Sequence, residues 1–175
     1  MELNIISIFY LFFRLAPFII TAYFALQSIF NQDLKGLIFL VGLLITAFLT
    51  IFIGNILPQS EKEQINLSTY AQAICNQLTL GASGPISRLP LSQTVYGYTL
   101  AYLSYFIGTN NLVSQNIPTF IMFPILIIGD IFWSTSNGCS TNIMLITSLI
   151  IGGIIGTLWA MIIEGTKVPG LAYFS

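Results

Sequence analysis

Long apolar segments alternate with shorter polar ones along this 175-residue chain. Five of the apolar segments are about long enough to cross a bilayer, because ~20 helical residues span a ~30 Å hydrocarbon core. They cover approximately residues 3–30, 38–57, 91–107, 117–133 and 143–163. The pattern predicts an all-α, multipass transmembrane helix bundle in which residues 1–175 form a single integral membrane domain.

One long polar segment, residues 58–90, separates the second span from the third. Within it, residues 67–80 have the composition of a short amphipathic helix, for which we predict a position at the membrane interface. If that helix is re-entrant and dips into the bilayer, the number of spans rises to six. Gly81, Gly84 and Pro85 then break regular structure before the third span begins.

The composition excludes several classes of protein. Charged residues make up 6% of the chain and the mean hydropathy is +0.88, whereas a soluble domain carries about 25% charge. A net charge of −1 gives no reason to expect a nucleic-acid partner. The chain has no histidine, the commonest general base, and its two cysteines cannot form a structural zinc site unaided. We therefore expect no cofactor and no metal.

Two ionisable residues, Arg14 and Asp130, interrupt the apolar spans. For Arg14 we expect a side chain that snorkels to an interface, the alternative being a buried cation that faces a lipid headgroup or an acid. Asp130 lies three residues before Trp133, a typical interface anchor, so we expect it near headgroup depth. If buried, Asp130 is the best candidate for an ionisable site in the chain.

With five spans, Cys75 and Cys139 lie on the same side of the membrane, so a disulfide between them is allowed. Two isolated thiols are the alternative. Two basic loop residues lie on each predicted side, so the positive-inside rule gives no orientation and does not identify the membrane.

Small and aromatic residues predict how the spans pack. Gly152 and Gly156, with Gly153 between them, form a small-xxx-small pair that allows close helix approach. We expect it to serve packing within the bundle, with self-association as the alternative. The third span carries a tyrosine stripe on one helix face, formed by Tyr98, Tyr102 and Tyr105. We interpret this stripe as packing against neighbouring helices with hydroxyls at interfaces, the alternative being a ligand-lining face.

The third span opens with the residues Leu-Pro-Leu-Ser-Gln-Thr at 89–94, and the last span carries Gly-Gly-Ile-Ile-Gly at 152–156 followed by Trp159. In these features, residues 88–163 resemble the type 2 phosphatidic acid phosphatase superfamily of membrane lipid phosphatases. The resemblance implies an active site on the membrane side where the third span begins. Pro90 and Ser92 retain part of one family motif.

The positions that carry the family's chemistry are changed in this chain. Gln93 stands where the resemblance implies a histidine acid, and Met144 stands for the nucleophilic histidine. Asn137 and Gly138 replace a Ser-Arg pair, and Ser148 replaces an orienting aspartate. Phosphoryl transfer in this family needs a nucleophilic histidine and a proton donor. The resemblance therefore implies an inactive member, and we expect no enzyme activity.

Three functional hypotheses follow. The first is a non-catalytic structural or scaffolding subunit of a larger assembly, such as an organellar membrane complex or the internal membrane of a virion. In a virion its partners would be capsid proteins, an idea motivated by small size and by an excess of 29 Ile over 4 Val that suggests AT-rich coding. The second is a lipid-binding protein in which Arg88, Ser92 and Gln93 hold a phosphate headgroup. The third is a transporter or channel subunit with Asp130, Arg14 and the tyrosine stripe along its path.

Overall fold

The computed structural model describes residues 5–56 and 89–168. Throughout these two ranges the regular structure is helical, as the apolar pattern predicts. The five described α-helices are α1 (Ile5–Asn31), α2 (Lys35–Ile56), α3 (Leu91–Thr109), α4 (Ile117–Ser136) and α5 (Asn142–Gly165), and a 3₁₀ turn (Val113–Gln115) precedes α4. Short turns join α1 to α2, α3 to α4 and α4 to α5, so the helices within each of these pairs run in opposite directions.

Three of the helices, α2, α4 and α5, are long and apolar enough to cross a membrane. The central helix, α3, is more polar because its buried face carries Gln93, Thr94, Thr99 and several tyrosines. This helix contacts each of the other four described helices. Its neighbours therefore shield its polar groups from the surroundings, as buried polar groups in a bilayer require.

Glycines bring α3 and α5 into backbone contact. A Cβ atom added at Gly97 would collide with the carbonyl oxygen of Leu149, and one added at Gly152 would collide with that of Thr94. At Gly156 the added atom would lie 2.5 Å from the Tyr98 carbonyl oxygen. Gly153 differs, since its nearest such contact is 3.9 Å. The small-xxx-small pair therefore packs within the bundle, against α3.

Aromatic side chains of α2 and α3 form the centre of the core. The rings of Phe39, Tyr98, Tyr102 and Phe106 are buried, and neighbouring ring centroids lie 5.0–5.9 Å apart. Stacked, tilted and edge-on pairs of this kind are favourable beyond the area that they bury. Two residues of the tyrosine stripe thus pack inside the bundle. Their hydroxyls are buried as well, which differs from the expectation of hydroxyls at interfaces.

Candidate functional site

A buried carboxylate accepts two hydrogen bonds where α3 begins. The Asp130 side chain of α4 is 2% exposed. Ser92 Oγ donates to Asp130 Oδ2 over 2.9 Å, and Gln93 Nε2 donates to the same oxygen over 2.7 Å. We call these three residues the Asp130 cluster. It joins α3 to α4. In the sequence, Ser92 and Gln93 occupy positions of the resembled family motif, and Asp130 is the best candidate for an ionisable site.

The positions of Ser92, Gln93 and Asp130 within their helices show where the Asp130 cluster lies along the bundle. Ser92 and Gln93 lie in the first turn of α3, directly after Pro90, which is extended and cannot continue a helix backward. Asp130 lies six residues before Ser136, the last residue of α4, which is about 9 Å at 1.5 Å per residue. The cluster therefore lies towards one end of the bundle, and the carboxylate is buried between helices. Its depth in a membrane stays a prediction.

The hydrogen bonds of the Asp130 cluster reduce the cost of burying its polar groups. A buried carboxylate is costly unless hydrogen bonds replace the water that it loses. Bonds from an amide and a hydroxyl to a charged oxygen are stronger than bonds between neutral groups. The Gln93 amide is itself buried and the Ser92 hydroxyl is half-buried, so the carboxylate and its two donors each reduce the cost of burying the others.

Some buried polar atoms of the bundle make no hydrogen bond. Three of them lack a hydrogen-bond partner among the residues that the structure describes: Gln93 Oε1, Thr94 Oγ1 and Tyr102 Oη. Gln93 Nε2 also donates to the Ile127 carbonyl oxygen over 3.4 Å. The Gln93 amide nitrogen thus has two acceptors, whereas its Oε1 accepts no hydrogen bond from the described residues. Each unsatisfied atom costs on the order of 1–3 kcal/mol.

Further hydrogen bonds connect aromatic side chains to the backbone of other helices. The Tyr96 hydroxyl donates to the Phe13 carbonyl oxygen of α1 over 3.0 Å. The Tyr98 hydroxyl donates to Phe39 O over 3.0 Å, and Trp159 Nε1 donates to Ile38 O over 3.1 Å, both in α2. Sequence reasoning missed these bonds of Tyr96 and Trp159. The available signal was that a buried Tyr or Trp needs a partner for its polar atom.

The remaining positions of the family resemblance use their polar atoms locally. Ser148 Oγ donates to the Met144 carbonyl oxygen over 2.8 Å, one turn back along α5. Asn137 Nδ2 donates to Trp133 O over 2.9 Å, and Gly138 has a φ of +66° in the turn after α4. The structure therefore brings Ser92 and Gln93 to Asp130, while the polar atoms of Ser148 and Asn137 bond backbone within their own segment.

Several predicted residues lie outside the described part of the chain. Arg88, Cys75 and the predicted interfacial helix at 67–80 fall in residues 57–88, and the side chain of Arg14 is also outside the description. Cys139 is disulfide-bonded. The one other cysteine of the sequence is Cys75. Because Cys75 lies outside the described residues, the Cys75–Cys139 pairing stays a prediction.

Within 5–56 and 89–168, no group of three or more His, Cys, Asp or Glu side chains could hold a metal ion. The chemistry that the described site offers is hydrogen bonding between a carboxylate, a carboxamide and a hydroxyl.

The likeness to lipid phosphatases rests on the residues of this sequence alone. Comparisons of the chain with protein-family models, with curated proteins and with solved structures each found no match.

Proposed function

We propose that this chain is a non-catalytic structural protein of a membrane, with five helices inserted in the bilayer and a role as a rigid subunit of a larger assembly. One observation carries the proposal. Where the resembled phosphatases would hold a catalytic histidine, Gln93 donates a hydrogen bond to Asp130 of the neighbouring helix. The polar groups at that position hold helices together. The carboxamide is not a nucleophile, and the Ser92 hydroxyl bonds a carboxylate with no histidine to activate it.

The outer surface of the bundle supports insertion and assembly. Large apolar side chains are exposed along the helices, among them Phe48 and Phe52 of α2 and Phe132 of α4, each more than 60% exposed. Apolar surfaces of this extent mark contact with a membrane or with other proteins. In this proposal, a lipid bilayer covers one part of the exposed apolar surface, and other subunits contact another part.

A phosphate-release assay tests the non-catalytic claim. Purified protein is incubated with phosphatidate and with isoprenyl diphosphates, beside the variants Ser92→Ala and Gln93→Leu. We expect no release above background from any of the three. Ser104→Ala, elsewhere on α3, is the matched control. Turnover by the wild type and by the control that disappears in Ser92→Ala or Gln93→Leu would contradict the proposal.

The buried carboxylate favours a second candidate, a transporter or channel subunit. Intramembrane acids commonly mark ion or proton pathways. The tyrosine stripe gives this candidate little support, since Tyr98 and Tyr102 pack in the core. Reconstituted proton or cation flux that is lost on Asp130→Asn and kept on Glu164→Gln would favour the transporter over the structural role.

The lipid-headgroup hypothesis for Arg88, Ser92 and Gln93 also remains a proposal, and the geometry weighs against it. The two described donors already bond a carboxylate. A phosphate placed there would have to compete with the Asp130 carboxyl group for the same two donors.

A further inference from the structure

A polar cavity lies at the opposite end of the bundle from the Asp130 cluster, at the turn between α1 and α2. Its volume is about 170 Å³. Five polar side chains line it: Gln27, Ser28 and Asn31 from the last turns of α1, Asp33 from the turn, and Lys35 at the start of α2. A cavity of about 150 Å³ holds a benzene-sized molecule, so this one has room for a small polar group.

The walls of the cavity are held in place by the turn itself. The Ser28 side chain is 3% exposed, and its hydroxyl donates to the Asp33 carbonyl oxygen. The Asp33 N–H donates back to the Ser28 carbonyl oxygen over 3.2 Å. Gly36 packs so closely on Phe24 that an added Cβ would collide with the Phe24 carbonyl oxygen. These contacts fix the backbone positions from which the Asp33 and Lys35 side chains extend.

The lining carries one charge of each sign. Asp33 and Lys35 are both half-buried and lie two residues apart on the cavity wall. A carboxylate binds an ammonium group through charge-assisted hydrogen bonds, and a lysine ammonium binds phosphate in the same way. The first backbone N–H groups of α2 add a positive partial charge beside Lys35. The cavity therefore matches a ligand that has an anionic group and a cationic group close together.

The surroundings of the cavity place it where the apolar surface ends. It opens at the start of α2, whose most apolar window has a mean hydropathy of 2.7. Phe30 and Leu34, which flank the turn, are 80% and 59% exposed. A ligand in the cavity would therefore have an apolar surface beside it, as the headgroup of a phospholipid has beside its acyl chains.

We propose that this cavity binds a phospholipid headgroup of the phosphoethanolamine class. The phosphate faces Lys35 and the start of α2. The primary ammonium faces the Asp33 carboxylate and the side-chain amide oxygens of Gln27 and Asn31, while the acyl chains lie along Phe30 and Leu34. The placement in the bilayer rests on the membrane insertion proposed above.

The lining distinguishes this headgroup from phosphocholine and from phosphoglycerol. A quaternary ammonium, as in phosphocholine, donates no hydrogen bond and is typically recognised by a cage of aromatic rings. Phe24 is the one aromatic residue that lines the cavity as described. A phosphoglycerol headgroup has no cation to offer Asp33. A primary ammonium satisfies both the carboxylate and the amide oxygens.

Native mass spectrometry of the full chain in detergent tests the proposal, with phosphatidylethanolamine, phosphatidylcholine and phosphatidylglycerol of identical acyl chains. We expect phosphatidylethanolamine to be retained preferentially. Asp33→Asn and Lys35→Gln should each weaken that binding about tenfold, the size expected for losing one hydrogen bond to a charged group. Glu164→Gln and Lys167→Gln are matched controls at the same end of the bundle, and we expect both to bind like the wild type.

Soluble glycerophosphoethanolamine, added as a competitor, separates the headgroup from the acyl chains. Displacement of the lipid by this competitor supports recognition of the headgroup. Equal retention of the three lipids, or unchanged binding by both cavity variants, would overturn the proposal. Extraction of native membranes with alkaline carbonate distinguishes the two possible failures. A chain that resists extraction but shows no lipid preference contradicts the headgroup site alone, whereas an extracted chain contradicts membrane insertion.

Discussion

At the residue scale, two donors of α3 share one carboxylate oxygen of α4, Asp130 Oδ2. Replacing Asp130 by Ala removes that acceptor from the buried Gln93 amide and from the half-buried Ser92 hydroxyl. An unsatisfied buried donor costs about 1–3 kcal/mol, so we expect Asp130→Ala to lower the free energy of unfolding by about 2–4 kcal/mol. Asp130→Asn keeps one acceptor oxygen and should cost less.

Unfolding in mixed micelles monitored by circular dichroism measures this difference. Ser136→Ala, an exposed position on the same helix, serves as the control and should be close to neutral. Equal stability of Asp130→Ala and wild type would show that the carboxylate does not hold α3 to α4.

Two tyrosines one turn apart allow a matched comparison. The Tyr98 hydroxyl bonds the Phe39 carbonyl oxygen, while the buried Tyr102 hydroxyl has no partner among the described residues. Hydrogen bonds between membrane helices contribute about 0.6 kcal/mol on average, so Tyr98→Phe should destabilise the bundle by about that amount. Tyr102→Phe should be neutral or stabilising, because it removes a buried unsatisfied group. The same unfolding titration measures both, and a larger loss in Tyr102→Phe would contradict the assignment.

At the element scale, the contact between α3 and α5 depends on particular glycines. Gly152→Ala places a methyl group against the Thr94 carbonyl oxygen, and the two helices must move apart. Overpacking of this kind costs typically 1–3 kcal/mol. The neighbouring Gly153→Ala meets ordinary contact distances and should be tolerated. Unfolding measurements give the loss of stability in each variant. Equal losses in Gly152→Ala and Gly153→Ala would mean that Gly152 does not lie at the closest contact between α3 and α5.

The elements themselves could largely be predicted from the sequence. The apolar segments at 117–133 and 143–163 correspond to Ile117–Ser136 and Asn142–Gly165. The helices extend a few residues beyond the apolar segments because polar residues at helix ends continue the backbone hydrogen bonding. Likewise α2 begins at Lys35, ahead of the predicted residue 38.

The side-chain partners could not be predicted in the same way. Ser92 and Asp130 are 38 positions apart, and Gln93 and Asp130 are 37 apart. Their meeting depends on how each helix is rotated about its axis. In a soluble protein the apolar stripe fixes that rotation, but in these helices the lipid-facing and core-facing sides are both apolar. The sequence therefore singled out Ser92, Gln93 and Asp130 without showing that they form one cluster.

At the scale of the whole molecule, the five crossings that we propose would place the connecting turns on alternate sides of the membrane. The turn after α3 and the turn after α4 should then lie on opposite sides. Asn110→Cys and Ser140→Cys, each in a Cys75→Ser, Cys139→Ser background, report this through an impermeant thiol reagent applied to sealed vesicles. We expect one position to be labelled from outside and the other after permeabilisation. Labelling of both from the same side would contradict a membrane-spanning α4.

The central claim is that this bundle is a structural subunit of a larger assembly. The most direct test is to crosslink native membranes, extract them in mild detergent, and measure the protein composition of the particle that contains this chain by quantitative mass spectrometry. The account predicts a protein neighbour at fixed stoichiometry, crosslinked at reproducible positions. A chain recovered alone, with bound phospholipid and no stoichiometric protein partner, would contradict it.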